Sequence, residues 1–165
     1  MSNVLSLSIL GFTTLASGLV AGLFYAWSCS VSPGLGRLPD AGYLAAMQEI
    51  NRAILQPGFF FSFWGTLVLL PLTCWVLRNQ SFRFWLLLTA TLVYTIGVFG
   101  TTVIKNVPLN EQLDRTGLSG ASPTELHLYR ERFEQTWNNW NLVRTFASVV
   151  TLGLLIAASL VRTEE

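Results

Sequence analysis

Residues Glu134 to Thr151 read EQTWNNWNLVRTFASVVT. Two tryptophans, three asparagines and one arginine stand here at the mouth of an otherwise apolar run. On a helical period of 3.6, Trp137, Asn141, Arg144, Ser148 and Thr151 share one stripe, and Trp140 lies beside it. A helix that enters a membrane with amides and a guanidinium on one face must hide that face against neighbours or water. The remainder of the chain then reads as the walls of a pocket into which the stripe points.

Composition agrees with that reading. Of 165 residues, 52% are hydrophobic and only 12% charged, with six Trp and eleven Phe; the mean hydropathy is +0.50. Soluble domains carry about 25% charged residues, so half that value argues for lipid as the solvent. No charged side chain occurs before Arg37, between Arg52 and Arg78, between Arg83 and Lys105, or between Arg144 and Arg162. Each gap is near or above the roughly 17–25 residues that cross a bilayer. The expected fold is an all-α, integral membrane four-helix bundle, one domain over residues 1–165, with spans near 4–30, 57–77, 84–104 and 141–161.

The segments between spans carry their own signals. In the first run, Gly11, Gly18 and Gly22 form a stripe that Tyr25 and Cys29 extend, suited to close helix packing. Tyr25 either packs there or lines the pocket, since its hydroxyl needs a partner if buried. The run lacks the basic start and short core of a cleaved signal peptide. VSPGLGRLPD then breaks the helix. From Asp40, a fitting N-cap, to Leu55 the pattern is amphipathic, with Tyr43, Leu44, Met47, Ile50, Ile54 and Leu55 opposite Gln48, Glu49 and Arg52. This piece is too short and charged to span, and reads as a helix on the rim of the bundle or in the interface. Asn51 at its edge is either a clamp to a loop or a ligand contact.

Pro57 suits the first turn of the second span, whose opening Phe59, Phe60, Phe61, Phe63 and Trp64 read as a packed or interfacial aromatic belt. Tyr94, Thr101 and Lys105 align along the third span, with Asn106, Pro108 and Asn110 just beyond it. The last helix starts near Ser122 or Pro123 and runs on into the fourth span, projecting past the bilayer. Four spans put both termini on one side. Arg78, Arg83 and Arg162 suggest that this side is the cytoplasm and the membrane the inner membrane of the cell. Arg37–Gln56 and Lys105–Asn141 then share the opposite face, where Asn51, Lys105, Asn106, Asn110, Asn141 and Arg144 can meet.

Several function classes find no support. The net charge of +1 and the lack of a basic cluster speak against nucleic acid. The one histidine, His127, sits in a charged stretch without CxxC or HExxH nearby, so no metal is expected. No GxGxxG, Walker loop or Ser–His–Asp set occurs, haem ligation would fall to His127, Met1, Met47 or a cysteine and is not expected, and no cofactor is implied. Cys29 and Cys74 read as small core residues at opposite membrane faces rather than a disulfide. An apolar cavity with aromatic walls and a few convergent polar groups remains, the usual make-up of a small-molecule site. Arg144 could clamp an anionic or enolate-like oxygen, or anchor the helix mouth against a loop acid. Lys105 could act as a base when desolvated, or reach to the headgroups from a helix end.

The blocks GLFYAWSCSVSPGL (22–35), MQEINRAILQPGFF (47–60), NVPLN (106–110) and WNNWNLVR (137–144) resemble the anthrone oxygenase family of small four-helix membrane proteins. The resemblance covers nearly the whole chain in order, with NVPLN and WNLVR its most specific parts. It implies oxidation of an anthrone to an anthraquinone by O₂ without metal or flavin. Carried over by position, Asn51, Asn110, Asn141 and Arg144 would be polar pocket residues, with Trp137 and Tyr25 as ring walls; His127 falls outside the matched blocks. The candidate catalytic set is Arg144, Lys105 and Asn141, and the candidate substrate contacts are Tyr25, Asn51, Asn106, Asn110, Trp137 and Trp140. The expected partners are a small hydrophobic or aromatic molecule and the bilayer, with a homo-oligomer left open. Two rival functions stand beside the oxygenase: a non-catalytic binder of a lipid, quinone or hydrophobic metabolite, and an assembly partner of another membrane protein.

Overall fold

The computed structural model describes residues 3–161; Arg162, which entered the reading of orientation, lies outside them. Five helices make up this part: α1 (Val4–Leu35), α2 (Asp40–Ala53), α3 (Pro57–Val76), α4 (Ser81–Asp114) and α5 (Pro123–Leu160). All but α2 are long and apolar enough to cross a membrane. The protein is therefore an all-helical membrane protein with four spans.

α1 packs against α3 and α5, and α4 closes the ring by packing against the same two. Large apolar side chains cover the outside: Phe61 is 80% and Phe146 72% exposed. In water this would be costly, whereas lipid solvates it. Between the helices, lipid supplies no hydrophobic drive, and packing with interhelical hydrogen bonds must hold the bundle. The hydroxyls of Thr13 (α1) and Thr73 (α3) meet at 2.7 Å, and Tyr94 Oη of α4 donates to the Phe63 carbonyl of α3 at 2.7 Å. Such bonds contribute about 0.6 kcal/mol each inside a membrane. The glycine stripe of α1 makes no close approach: a Cβ on Gly11 or Gly22 would meet nothing within 4 Å. The tight crossing is at Gly97 of α4, where a Cβ would lie 2.7 Å from Ala147 Cβ of α5.

The long helices are not uniform. Trp27–Val31 in α1, and Tyr94–Gly100 and Thr102–Asn106 in α4, are π-helical. Each π-turn inserts an extra residue and rotates the rest of the helix about its axis. Cys29 sits in the first of these and is exposed, contrary to the core position expected for it, while Cys74 is buried as expected. α5 begins at the expected place. Ser122 and Glu125 form a reciprocal capping box, entered through a turn in which Gly120 takes φ +82°.

A second buried cluster caps the bundle at the α2 end. Tyr43, Leu44 and Met47 of α2 pack on Leu113 of α4 and on Phe133 and Trp137 of α5. α2 is thus a rim helix. Gln48 Nε2 donates to the Leu113 and Thr116 carbonyls at 2.8 and 3.1 Å, and Arg52 bridges to Asp114. Arg130 of α5 holds the 36–40 link through the Gly36 and Leu38 carbonyls and the Asp40 carboxylate. Asp40 does not cap its helix, for which Pro39 takes the N-cap position. Its oxygens are taken by Arg130 at 3.0 Å and His127 at 3.1 Å. Burial raises the Asp40 carboxyl, but the bonds and charges of Arg130 and His127 outweigh it and hold the group below its ordinary range.

Candidate functional site

A cavity of about 390 Å³ lies where the rim cluster meets the bundle core. That volume falls within the roughly 300–1,000 Å³ of small-molecule sites. Every helix contributes to it. α1 supplies Phe24 and Trp27, α2 supplies Ile50 and Asn51, and Phe59 comes from α3. Thr102 and Asn110 enter from α4, and Trp137, Asn141 and Arg144 from α5. Two of these walls sit in or beside π-turns, which aim Trp27 and Thr102 inward.

Arg144 is only 6% exposed. Its guanidinium lies 4.5 Å from the Phe24 ring centroid and 5.2 Å from that of Trp137. Nη2 donates to Asn141 Oδ1 at 2.7 Å, while Nε has no hydrogen-bond partner. Among the described residues no carboxylate pairs with it. Aromatic faces offset part of the cost of burying a cation. A buried charge normally has an opposite charge as well, and here that place is open to a ligand.

The position of Arg144 is fixed by a chain of hydrogen bonds. Asn141 Nδ2 donates to Ser28 Oγ at 2.9 Å. Ser28 Oγ lies 2.8 Å from Thr145 Oγ1, which donates onward to the Phe24 carbonyl at 3.0 Å. This sequence leaves the Asn141 amide one orientation, with its oxygen toward Arg144. Asn110 is oriented in the same manner: Trp137 Nε1 donates to its Oδ1 at 2.6 Å, so the amide NH₂ is what Asn110 has left to offer. Asn51 Nδ2 is buried and has no partner. Arg144, Asn110 and Asn51 therefore all have N–H groups to offer the cavity, which suit a ligand that presents acceptor oxygens.

Of the residues expected at the site, Asn51, Asn110, Trp137, Asn141 and Arg144 come together around this cavity. Asn106 is fully buried one layer behind, donating to the Trp137 carbonyl at 3.3 Å, with its own Oδ1 unpartnered. Tyr25 is 59% exposed on the outer face of α1 and is no part of the wall. Lys105 is exposed too, its ammonium 5.0 Å from the Trp140 ring centroid, and neither residue lines the cavity. Arg52, Glu111 and Asp114 form a charged rim. Glu111 and Asp114 were not picked out from the sequence, because α4 runs through Pro108, directly after a π-segment, and on to Asp114. Among the described residues no group of three or more His, Cys, Asp or Glu side chains could hold a metal ion.

No curated protein and no solved structure matches the chain. A sequence model of the anthrone oxygenase family matches residues 45–154, 110 of the 165 residues. The matched part carries Asn51, Asn110, Trp137, Asn141 and Arg144, all five of the expected residues that meet at the cavity. With the match spanning two thirds of its length, the chain belongs to the anthrone oxygenase family.

Proposed function

We propose that the cavity binds a flat, electron-rich phenolic or anthrone-type molecule and that the protein oxidises it with O₂ without a cofactor. The observation that carries this reading is Arg144, a buried guanidinium with a free Nε and no carboxylate beside it. An anthrone has a methylene between two aromatic rings and a ketone across the central ring. Losing a methylene proton leaves a phenolate-like anion whose charge rests on the ketone oxygen. Arg144 is the group to hold that oxygen, because its charge is permanent and its environment is already dry. Phe24, Trp27 and Trp137 are the flat walls for the rings, and Asn141 positions the guanidinium.

The anion then reacts with O₂ at the former methylene carbon, forming a hydroperoxide after reprotonation, and loss of water leaves the second carbonyl. Overall the anthrone and O₂ give the anthraquinone and one water. Asn51 and Asn110 are suited to receive the new oxygen, since both offer amide NH₂ groups. Arg78 and Arg83 beside the short 77–80 link support a cytoplasmic location of the termini in the inner membrane of the cell, with the cavity toward the other face.

Oxygen uptake by detergent-solubilised protein with emodin anthrone tests the proposal. The wild type should exceed empty detergent, and Arg144→Ala should remove the excess. Equal rates with and without protein would dispose of the oxygenase; thermal stabilisation by the anthrone without uptake would leave only a binding pocket.

A further inference from the structure

Removing the methylene proton requires a base, and the inner cavity has none. Arg144 only donates. The Asn110 and Asn141 oxygens are occupied by Trp137 and Arg144, and the Thr102 hydroxyl donates to the Val98 carbonyl at 2.8 Å. An amide oxygen is in any case too weak a base. Lys105, the base considered from the sequence, stands outside against Trp140. The cavity lining includes two carboxylates, Glu111 and Asp114, and no histidine, lysine, cysteine or tyrosine.

These two carboxylates are not equivalent. Asp114 Oδ1 receives two short bonds from Arg52, from Nε at 2.8 Å and Nη2 at 2.7 Å, which occupy it and link α2 to the end of α4, both side chains being about half exposed. Glu111 has one long contact, Oε2 to Arg115 Nη2 at 3.5 Å, between side chains 60% and 80% exposed. An exposed pair of that kind contributes little. Glu111 Oε1 has no hydrogen bond at all among the described residues. It directly follows Asn110, whose amide is fixed on the cavity by Trp137, and the unpartnered buried Arg144 lines the same space.

We infer that Glu111 is the general base of the reaction, an assignment that rests on the oxygenase reading above. In the step, a methylene C–H bond breaks and an O–H bond forms on the Glu111 carboxylate. The electron pair stays on the ring system, with its charge at the ketone oxygen beside Arg144. No electron is transferred until O₂ enters. Exposure at the rim lets Glu111 pass the proton to water and be ready for the next turnover.

The experiment compares full-length wild type, Glu111→Gln, Glu111→Asp and Asp114→Asn in detergent with emodin anthrone, subtracting the buffer reaction at each pH. Glu111→Gln should lower kcat about 100-fold, the low end of the usual range for such catalysis, with KM little changed. The acid limb of the pH–rate profile should vanish in it, leaving a rate that rises with hydroxide, and should persist in Asp114→Asn. Glu111→Asp should restore part of kcat together with the limb, and carries the test if the Gln variant does not fold. A Glu111→Gln protein with wild-type kcat and profile would overturn the assignment while leaving the oxygenase standing, as would loss of the limb in Asp114→Asn alone. Wild type no faster than buffer would remove the oxygenase itself, and the assignment with it.

Discussion

Two arginines are hidden at the two ends of the bundle, to nearly the same depth, and they are handled in opposite ways. Arg83 of α4 is 4% exposed and Arg144 of α5 is 6% exposed. Arg83 points at the C-terminus of α5, where Nε donates to the Ala158 carbonyl at 2.9 Å, Nη2 reaches the Val161 carbonyl, and Nη1 reaches Gln80. Those α5 carbonyls lie at a last helical turn, which lacks intrahelical donors and carries partial negative charge. Arg144 has one acceptor and two aromatic faces, and its buried Nε–H has no partner. Burial therefore does not mark the site. The donor left unsatisfied beside an empty space does.

This contrast can be broken most forcefully by exchanging each guanidinium for a side chain of similar bulk. Arg144→Met should lower oxygen uptake by about 10²–10³-fold, the usual effect of deleting a preorganised oxyanion partner. Its unfolding temperature should hold or rise, because an uncompensated buried charge is gone. Arg83→Met should do the reverse, costing about 2 kcal/mol of stability from lost charge-assisted bonds while leaving turnover per folded molecule in place. Thermal unfolding and an oxygen electrode on the same samples check both halves.

Asn141 sharpens the comparison at the level of position. Asn141→Ala keeps the Arg144 charge but removes its acceptor and the link to Ser28. Uptake should fall roughly tenfold, about 1.4 kcal/mol, and Asn141→Gln should not restore it, since the longer side chain cannot serve Arg144 and Ser28 together. An Ala variant with full activity would show that the aromatic faces alone orient the guanidinium.

The smallest expected effect concerns a third arginine, Arg130, which is satisfied by carboxylates. The Asp40 carboxyl is held low in the folded protein, so its contribution is complete above the unfolded carboxylate value of about 3.9. It is lost as pH falls through the lower folded value. Thermal unfolding of wild type and Asp40→Asn should therefore differ at neutral pH and converge in acid; a gap that stays constant would contradict the pairing.

The four spans were legible because charge-free gaps are a one-dimensional signal that any rotation of the helices leaves intact. The α5 stripe was legible for a related reason: no π-turn interrupts Trp137 to Thr151, so a 3.6-residue projection holds along it. Elsewhere that projection fails. Tyr94, Thr101 and Lys105 were placed on one stripe, yet two π-segments run through them, and Tyr94 is buried while Lys105 faces outward. Tyr25 was aligned with the glycine stripe of α1, yet that stripe makes no close approach, and the buried face of the helix is the one that carries Thr13 and Ser17. Glu111 and Asp114 drew no reading from the sequence, and only the continuation of α4 past Pro108 brings them to the cavity.

Mixing the protein with emodin anthrone under argon and recording the visible absorption spectrum tests the role of Arg144 most directly, since no oxidation can occur. Wild type should bind the compound as its red-shifted anion at neutral pH, and Arg144→Met should bind it only in the neutral form, if at all. Identical spectra and affinities for the two proteins would contradict a ligand oxyanion as the missing partner of this buried charge.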